Sequence, residues 1–590
     1  MKRSFRNPAR RAVARRSWPR PLRRSLSCVA LLALARACTV DLSTARGQPP
    51  RDDRPRLVVV IVVDQLCAEF LTRFEPFFDD RGFRRLMERG AWFTQAYLPY
   101  GVTSTGPGHA TIATGAPPCV HGIVGNDWYA GPDRKSTYCV EDPDCKLVGP
   151  NMDERRKGRS PVLLASATLG DQLKLATAGR SKVWGASLKD RSAILLAGRA
   201  ADGAVWWDGA TGHFISSTYY AAKLPDCAAR LNRAQIADRY FHKRWDRALP
   251  ESEYARVCHA DDAAHERGRS AGLTNVLPKT IAQDLNERTA EYYEAVFTSP
   301  FGNELVFELA RAVVDDEQLG QDDAPDLLGI SLSSNDAVGH AFGPHSHEVL
   351  DITVRTDRQL GEFLDWLDRA VGLSRCLVAL TADHGVAPAP EYARDLRLGG
   401  GRVDVAGLLA DIEDALSEPL AAASLKGGQH SGQRAVKLKG PWLYLNHSAL
   451  ASRGIPATDA AARAARAAAK SDGIARALVE ADWSAAGASA DSPIAFHARQ
   501  SSFPGRSGDV YVHTSPYWAF GGNCAEHGTA HAYDRHVPLL IYGRAIQPLK
   551  SSALVDVCDL AVTLAALLHV PPPPAATGAP LAAVVDEPER

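Results

Sequence analysis

Three apolar runs in this chain stop on a carboxylate or an imidazole, and that pairing limits the fold more than any other feature. LVVVIVV (57–63) leads into Asp64, DLLGISLSS (326–334) into Asp336 and His340, and CLVALTA (376–382) into Asp383 and His384. Short runs rich in Val, Ile and Leu read as buried strands. An amphipathic helix, VRTDRQLGEFLDWLDRAV (354–371), separates two of them. Strands alternating with helices imply a mostly parallel sheet. In open sheets of this kind, chemistry gathers outside the carboxyl ends of the strands.

The rest of the chain extends the pattern. A helix is expected over about 82–90, an aromatic strand at AWFTQAYL, and a helix over Thr105–Thr114 that Gly115-Ala116-Pro117-Pro118 ends. HVPLLIYG reads as a last buried strand and VDVCDLAVTLAALLHV as a closing apolar helix. The expected architecture is α/β: a three-layer α/β/α sandwich around a mostly parallel central sheet. Residues 57–590 are expected to form one domain, with insertions at about 130–325 and 390–515 capping the carboxyl ends of the strands. The first insertion carries the hairpin-like AVWWDGATGHFISS, and the second the strand-like PWLYLN and the Ala-rich ATDAAARAARAAAKS.

The first 25 residues are strongly basic and contain no acidic residue; the apolar LSCVALLALARACT follows. This is the layout of a signal peptide over 1–37, ending in an A-x-A site at Ala35-Arg36-Ala37, with a linker over 38–56. It predicts export to the periplasm, with secretion as a minor alternative. Paired arginines leave a twin-arginine route open, and Cys38 leaves a lipoprotein as another minor alternative. No later apolar run is of membrane-spanning length. Lys+Arg and Asp+Glu are both 68, which gives no sign of a nucleic-acid surface. Cys139 with Cys145, and less strongly Cys227 with Cys258, are candidate disulfide pairs in an exported protein.

The chemistry-bearing residues fall in separate pieces. Thr105 opens TGPGHATIATG at an expected helix N-terminus, where unpaired N–H groups favour negative charge. Its hydroxyl is a weak nucleophile unless a metal activates it, and the commoner fate of such a threonine is a plain N-cap. His109 is read as orienting the Thr105 loop rather than binding metal. Asp336 and His340, four apart, share one helix face. Asp383 and His384 sit at a strand-to-loop corner, and His527 opens HGT. Three Asp and three His supply oxygen and nitrogen donors suited to zinc. Lys189 and Arg191 in SLKDRSAI stand two apart on what reads as an extended segment, and so on one face. Both side chains then face the same way, unless the segment is a solvated strand, and Asn126 in GNDW reads as a turn residue.

The order D…T-x-x-G-H…D-x-x-x-H…D-H-G…H-G-T resembles the alkaline phosphatase superfamily. VVDQ, GHATIATG, GIVGNDW and SLKDRSAILLAG are most similar to its exported bacterial members with a threonine nucleophile, a branch related to the type I phosphodiesterases and nucleotide pyrophosphatases. The resemblance covers about 57–570. It implies two zinc ions, one held by Asp64, Asp383, His384 and the Thr105 oxygen, the other by Asp336, His340 and His527. It further implies attack by Thr105, a phosphothreonine intermediate, and Asn126, Lys189 and Arg191 contacting the transferred phosphoryl group of small phosphorylated substrates. A phosphodiesterase with the same two-zinc site is the closest rival, with Trp206-Trp207 or Tyr517-Trp518 as its apolar pocket. An exported metal- or phosphate-binding protein without catalysis is the third reading. A sulfatase needs a C/S-x-P-x-R motif, which APPCVHG does not supply. Oligomeric state is not legible in the sequence.

Overall fold

The computed structural model describes residues 54–585 except 132–133, 269–272, 424–433 and 485–491. The expected leader at 1–37, Cys38 and nearly all of the 38–56 linker lie outside the described residues.

Ten strands form the central sheet. In chain order they are β1 (Leu57–Val63), β2 (Ala91–Tyr97), β3 (Leu147–Val148), β4 (Val183–Ser187), β5 (Gly203–Asp208), β6 (His213–Ser217), β7 (Asp326–Leu332), β8 (Cys376–Thr381), β9 (His536–Gly543) and β10 (Leu549–Asp556). Across the sheet they run β10-β2-β9-β8-β1-β7-β4-β5-β6-β3. The middle is parallel: β1 pairs with both β8 and β7, β7 with β4, and β4 with β5. Strand β9 is inserted antiparallel between β8 and β2.

Every residue of β1, β7 and β8 is buried. Strands so enclosed need helices on both faces, and the helices fall into two groups that pack among themselves. One contains α1 (Thr105–Thr114), α2 (Asp190–Ala197) and the closing Asp559–Leu567 helix; the other contains α3 (Pro300–Glu317), α4 (Ser334–Phe342) and α5 (His347–Ala370). The register Leu57↔Asp326 and Leu57↔Cys376 aligns the three central strands, so their carboxyl ends open at one edge.

Two expectations need correction. The stretch at about 130–325 is not a separate insertion: it supplies β3 to β6 to the central sheet, because β4 is fully buried and pairs along β7. Its turn-rich composition reflects the short hairpins around those strands. The helix expected over 354–371 starts earlier, at His347, where the Ser346 hydroxyl accepts from Val349 N at 3.1 Å as an N-cap. Within about 390–515 the chain forms a second, four-stranded sheet of Val436–Lys439, Trp442–Leu445, Val510–Thr514 and Ile474–Val479. The Ala-rich helix Ala457–Ala468 packs on it through Ala460, Ala464, Ala467 and Ala468.

Candidate active site

Four neighbouring strands, β8, β1, β7 and β4, deliver the site at their carboxyl ends. Asp64 directly follows β1, Asp383 and His384 follow β8, Asp336 and His340 stand on α4 just after β7, and Lys189 caps α2 just after β4. His527 enters from the loop ahead of β9. Asp64, Asp383 and His384 are wholly buried, and Thr105 nearly so.

Thr105 is the first residue of α1, whose ten residues are all buried. Close packing sets its position. A Cβ on Gly108 would stand 2.3 Å from the Asp383 carbonyl oxygen, so only glycine lets this helix approach the strand end. His109 ties the first turn down. Its Nδ1 donates to the Thr105 carbonyl at 2.9 Å and its Nε2 meets Ser331 Oγ at 2.8 Å. Asn126 Oδ1 accepts from Gly106 N at 2.8 Å. Lys189 Nζ and Arg191 Nη2 each donate to Thr105 Oγ1 at 3.4 Å.

Lys189 and Arg191 converge for a reason other than the expected one. They do not lie on an extended segment; Lys189 is the N-cap of α2 and Arg191 stands in its first turn. Asp190, between them, accepts from Arg159 Nε at 2.7 Å and from Tyr138 Oη, and Arg191 Nη1 reaches the same Tyr138 hydroxyl at 3.3 Å. That network aims Arg191 at Thr105.

The donor groups form two clusters that share an edge. Asp64, Asp383 and His384 make the first, with His384 Nε2 3.5 Å from Asp64 Oδ1 and 3.4 Å from Asp383 Oδ2. Asp336, His340 and His527 make the second: His340 Nε2 is 3.2 Å from Asp336 Oδ1, and His527 Nε2 is 3.2 Å from His340 Nε2. His384 also lies within ligand reach of Asp336 and His527.

These residues fit metal ions. Asp64 Oδ1, Asp383 Oδ2 and His384 Nε2 are buried and have no hydrogen-bond partner among the described residues, an arrangement that costs free energy unless a cation fills it. All three histidines are oriented by main-chain carbonyls on the opposite nitrogen: His384 Nδ1 to Gly385 O at 2.9 Å, His340 Nδ1 to Ala525 O at 2.8 Å and His527 Nδ1 to Thr103 O at 2.7 Å. That is how ligating imidazoles are held with Nε2 bare. Burial lowers the His384 and His527 pKa values, leaving neutral rings able to ligate. Burial also pushes the Asp64 carboxyl well above its usual range, with Asp383 adding to the effect. Lys189 Nζ touches Asp64 Oδ2 and Asp336 Oδ2, each at 2.6 Å. One ammonium among three carboxylates leaves the site short of positive charge.

Sequence reasoning missed Gln65. Its backbone is left-handed at φ 69°, its N–H donates to Asp383 Oδ1 at 3.2 Å, and its Nε2 donates to Asp336 Oδ1 at 2.6 Å. A Cβ on Gly339 would stand 1.7 Å from Gln65 Oε1, so the glycine makes room for this reach. The signal available was its place directly after Asp64. The expected disulfides are not formed: Cys139, Cys145, Cys227 and Cys258 are free thiols. Cys139 is buried against Trp128 and Val140, and Cys145 Sγ donates to Asp142 at 3.2 Å.

A sheet that gathers Asp, His and Thr at one carboxyl edge is the architecture of the alkaline phosphatase superfamily, and this chain shares it. The chain belongs to the type I phosphodiesterase / nucleotide pyrophosphatase family, whose model matches residues 58–534. It is 33% identical to the alkaline phosphatase PhoV of Synechococcus elongatus over 89% of this chain and 92% of that one. It is 33% identical to the alkaline phosphatase PafA of Elizabethkingia meningoseptica over 90% and 95%, and 31% identical to a protein of Myroides odoratus named a calcium-transporting ATPase over 91% and 95%. The crystal structure of PafA superimposes with a TM-score of 0.82 at 31% identity, covering 90% of this chain and 99% of PafA. A second PafA structure, at TM-score 0.83, is of a mutant substituted at a Thr, an Asn, a Lys and an Arg. The chain is an enzyme of the alkaline phosphatase class. Among the described residues no helix is long and apolar enough to cross a membrane.

Proposed function

We propose that this chain hydrolyses phosphate monoesters through a phosphothreonine formed at Thr105, with two zinc ions held by Asp64, Asp383 and His384 and by Asp336, His340 and His527. The observation that carries this reading is the placement of Thr105 Oγ1 within 3.4 Å of both Lys189 Nζ and Arg191 Nη2. A hydroxyl flanked by two cations suits attack on a phosphoryl group with two charges on its free oxygens. Arg191 supplies a planar fork and Lys189 a point charge for those oxygens. Gly106 N–H fixes Asn126 Oδ1, which sets the direction of the Nδ2 donor.

Zinc bound at the two donor groups supplies Lewis-acid stabilisation to the attacking and leaving oxygens. The Thr105 oxygen bonds phosphorus as the bond to the leaving oxygen breaks; the hydroxyl proton passes to water and the departing alkoxide takes one from water, so the alcohol leaves neutral. The α1 N-terminus favours the negative charge on the Thr105 oxygen. Water then attacks the phosphothreonine, phosphate departs and Thr105 regains its proton. Burial of Thr105 and its neighbours keeps bulk water from competing. The basic-then-apolar N-terminus supports export to the periplasm, and sequencing the mature N-terminus tests it against a start after Ala37.

The family also contains diesterases, so the decisive test is the ratio of kcat/KM for an aryl phosphate to that for its methyl diester. A preference for the monoester is expected; a preference for the diester overturns the reading. Trapped radiolabel on Thr105 from a labelled monoester tests the intermediate.

A further inference from the structure

Beside His527 lies a pocket of about 160 Å³ whose walls include four aromatic residues and three prolines. We infer that this pocket receives the leaving group and selects monoesters of uncharged alcohols carrying one aromatic ring. The inference rests on the phosphomonoesterase reading above and deepens it.

Position carries the first part. Thr105 is tied to the Asp383 side of the site, through His109 and through the contact of Gly108 with Asp383. His527 belongs to the other donor group, with Asp336 and His340. In an in-line displacement the attacking and leaving oxygens lie on opposite sides of phosphorus. The leaving group therefore departs on the His527 side, and His527 itself lines the pocket.

Size and chemistry carry the second part. A protein cavity of about 150 Å³ with apolar walls holds a benzene molecule, so this volume admits one ring. Tyr517, Trp518, Phe520, Tyr533 and Pro441 line it, and aromatic walls favour an aromatic guest. The Glu526 carboxylate also borders the pocket and opposes leaving groups that bring further negative charge.

The wall is built before any ligand arrives. Tyr517 is held at φ 63°, a conformation that costs a non-glycine residue free energy and collects at functional sites. Its N–H donates to Tyr533 Oη at 3.2 Å, and the two rings stack with centroids 5.5 Å apart. Trp518 seats on Gly401 and Gly473. Arg402 donates to Gly521 O at 2.8 Å and to the Glu391 carboxylate at 2.9 and 3.0 Å, closing the loop behind Phe520.

The test compares benzyl phosphate with ethyl phosphate, whose leaving alcohols have similar acidity, in the zinc-loaded protein. It also compares inhibition by benzylphosphonate and ethylphosphonate, which report binding without turnover. The expected result is a preference for the benzyl compounds on the order of 10- to 100-fold, collapsing toward one in Phe520→Ala and in Tyr517→Gly. The second variant protects against misfolding, because glycine adopts φ 63° freely. Equal kcat/KM for the two esters with equal Ki for the two phosphonates overturns the inference while leaving the phosphatase reading intact, and so does a preference that survives both variants. If neither ester is hydrolysed, the phosphatase reading falls. The phosphonates then decide the pocket: tighter benzylphosphonate binding lost in both variants supports it, and equal binding overturns it.

Discussion

His340 and His527 face each other Nε2 to Nε2 at 3.2 Å, while each donates from Nδ1 to a main-chain carbonyl. Both Nε2 atoms are thereby turned into the site, where Asp336 Oδ1 lies 3.2 Å from His340 Nε2 and 3.6 Å from His527 Nε2, a donor set that a bound cation would complete. Removing metal with a chelator should abolish activity, and two equivalents of zinc should restore it. Zinc at a hundredfold excess over its Kd should stabilise the fold by about 2.7 kcal/mol per site. Metal analysis and thermal melts of the apo and loaded protein check both statements; full activity after exhaustive chelation would refute the assignment.

Thr105→Ala should lower kcat on the order of a thousandfold or more and leave zinc stoichiometry at two. Thr105→Ser should keep a covalent phosphoenzyme. The measurement is acid-quenched incorporation of labelled phosphate, and a labelled Ala variant would place the nucleophile elsewhere.

Gln65→Asn keeps a residue that tolerates the left-handed backbone but shortens the arm by one methylene, so it no longer reaches Asp336. Partners that hold metal ligands contribute about 10- to 100-fold to metal affinity or activity. A loss of that size is expected in zinc titrations, with the melting temperature of the apo form little changed.

Arg191→Ala should cut kcat/KM for a monoester by about 100- to 1000-fold and affect a methyl diester much less, since a diester offers one fewer charge to the guanidinium. Equal losses on both substrates would show that Arg191 serves the fold rather than the phosphoryl group.

Away from the active site, burial raises the Glu266 carboxyl from 4.5 to about 9, with Glu348 nearby adding to the effect. Both Glu266 carboxyl oxygens lack hydrogen-bond partners among the described residues. The folded state binds this proton more tightly than the unfolded chain does, so its contribution to stability is complete below pH 4.5 and is lost as pH climbs to about 9. Glu348, raised to about 7 by burial despite Lys279, acts in the same direction over a lower window. Melting temperature should therefore fall between pH 7 and 9, and Glu266→Gln should flatten that decline.

The gathering of the Asp and His side chains was legible because a buried strand announces its end. A run such as LVVVIVV must stop where the chain leaves the sheet, and an Asp placed there is functional more readily than structural. The i, i+4 spacing of Asp336 and His340 likewise became one face of α4. What escaped was anything fixed by contacts between distant segments. Residues at about 130–325 looked like an insertion because no local pattern reveals that β4 pairs with β7, each residue with a partner 144 positions along the chain. Gln65 bonds residues far along the sequence, and its own neighbours say nothing of them. Lys189 and Arg191 were expected on an extended segment and stand instead at the start of α2, since two charged residues before a helix look the same as two on a strand.

Because strands β8, β1, β7 and β4 lie side by side, the donors they carry are brought together only when segments from Asp64 to His527 have all docked. Contacts of such long reach form late and cooperatively. Catalysis in this chain thus depends on the docking of segments spread from Asp64 to His527 across four neighbouring strands.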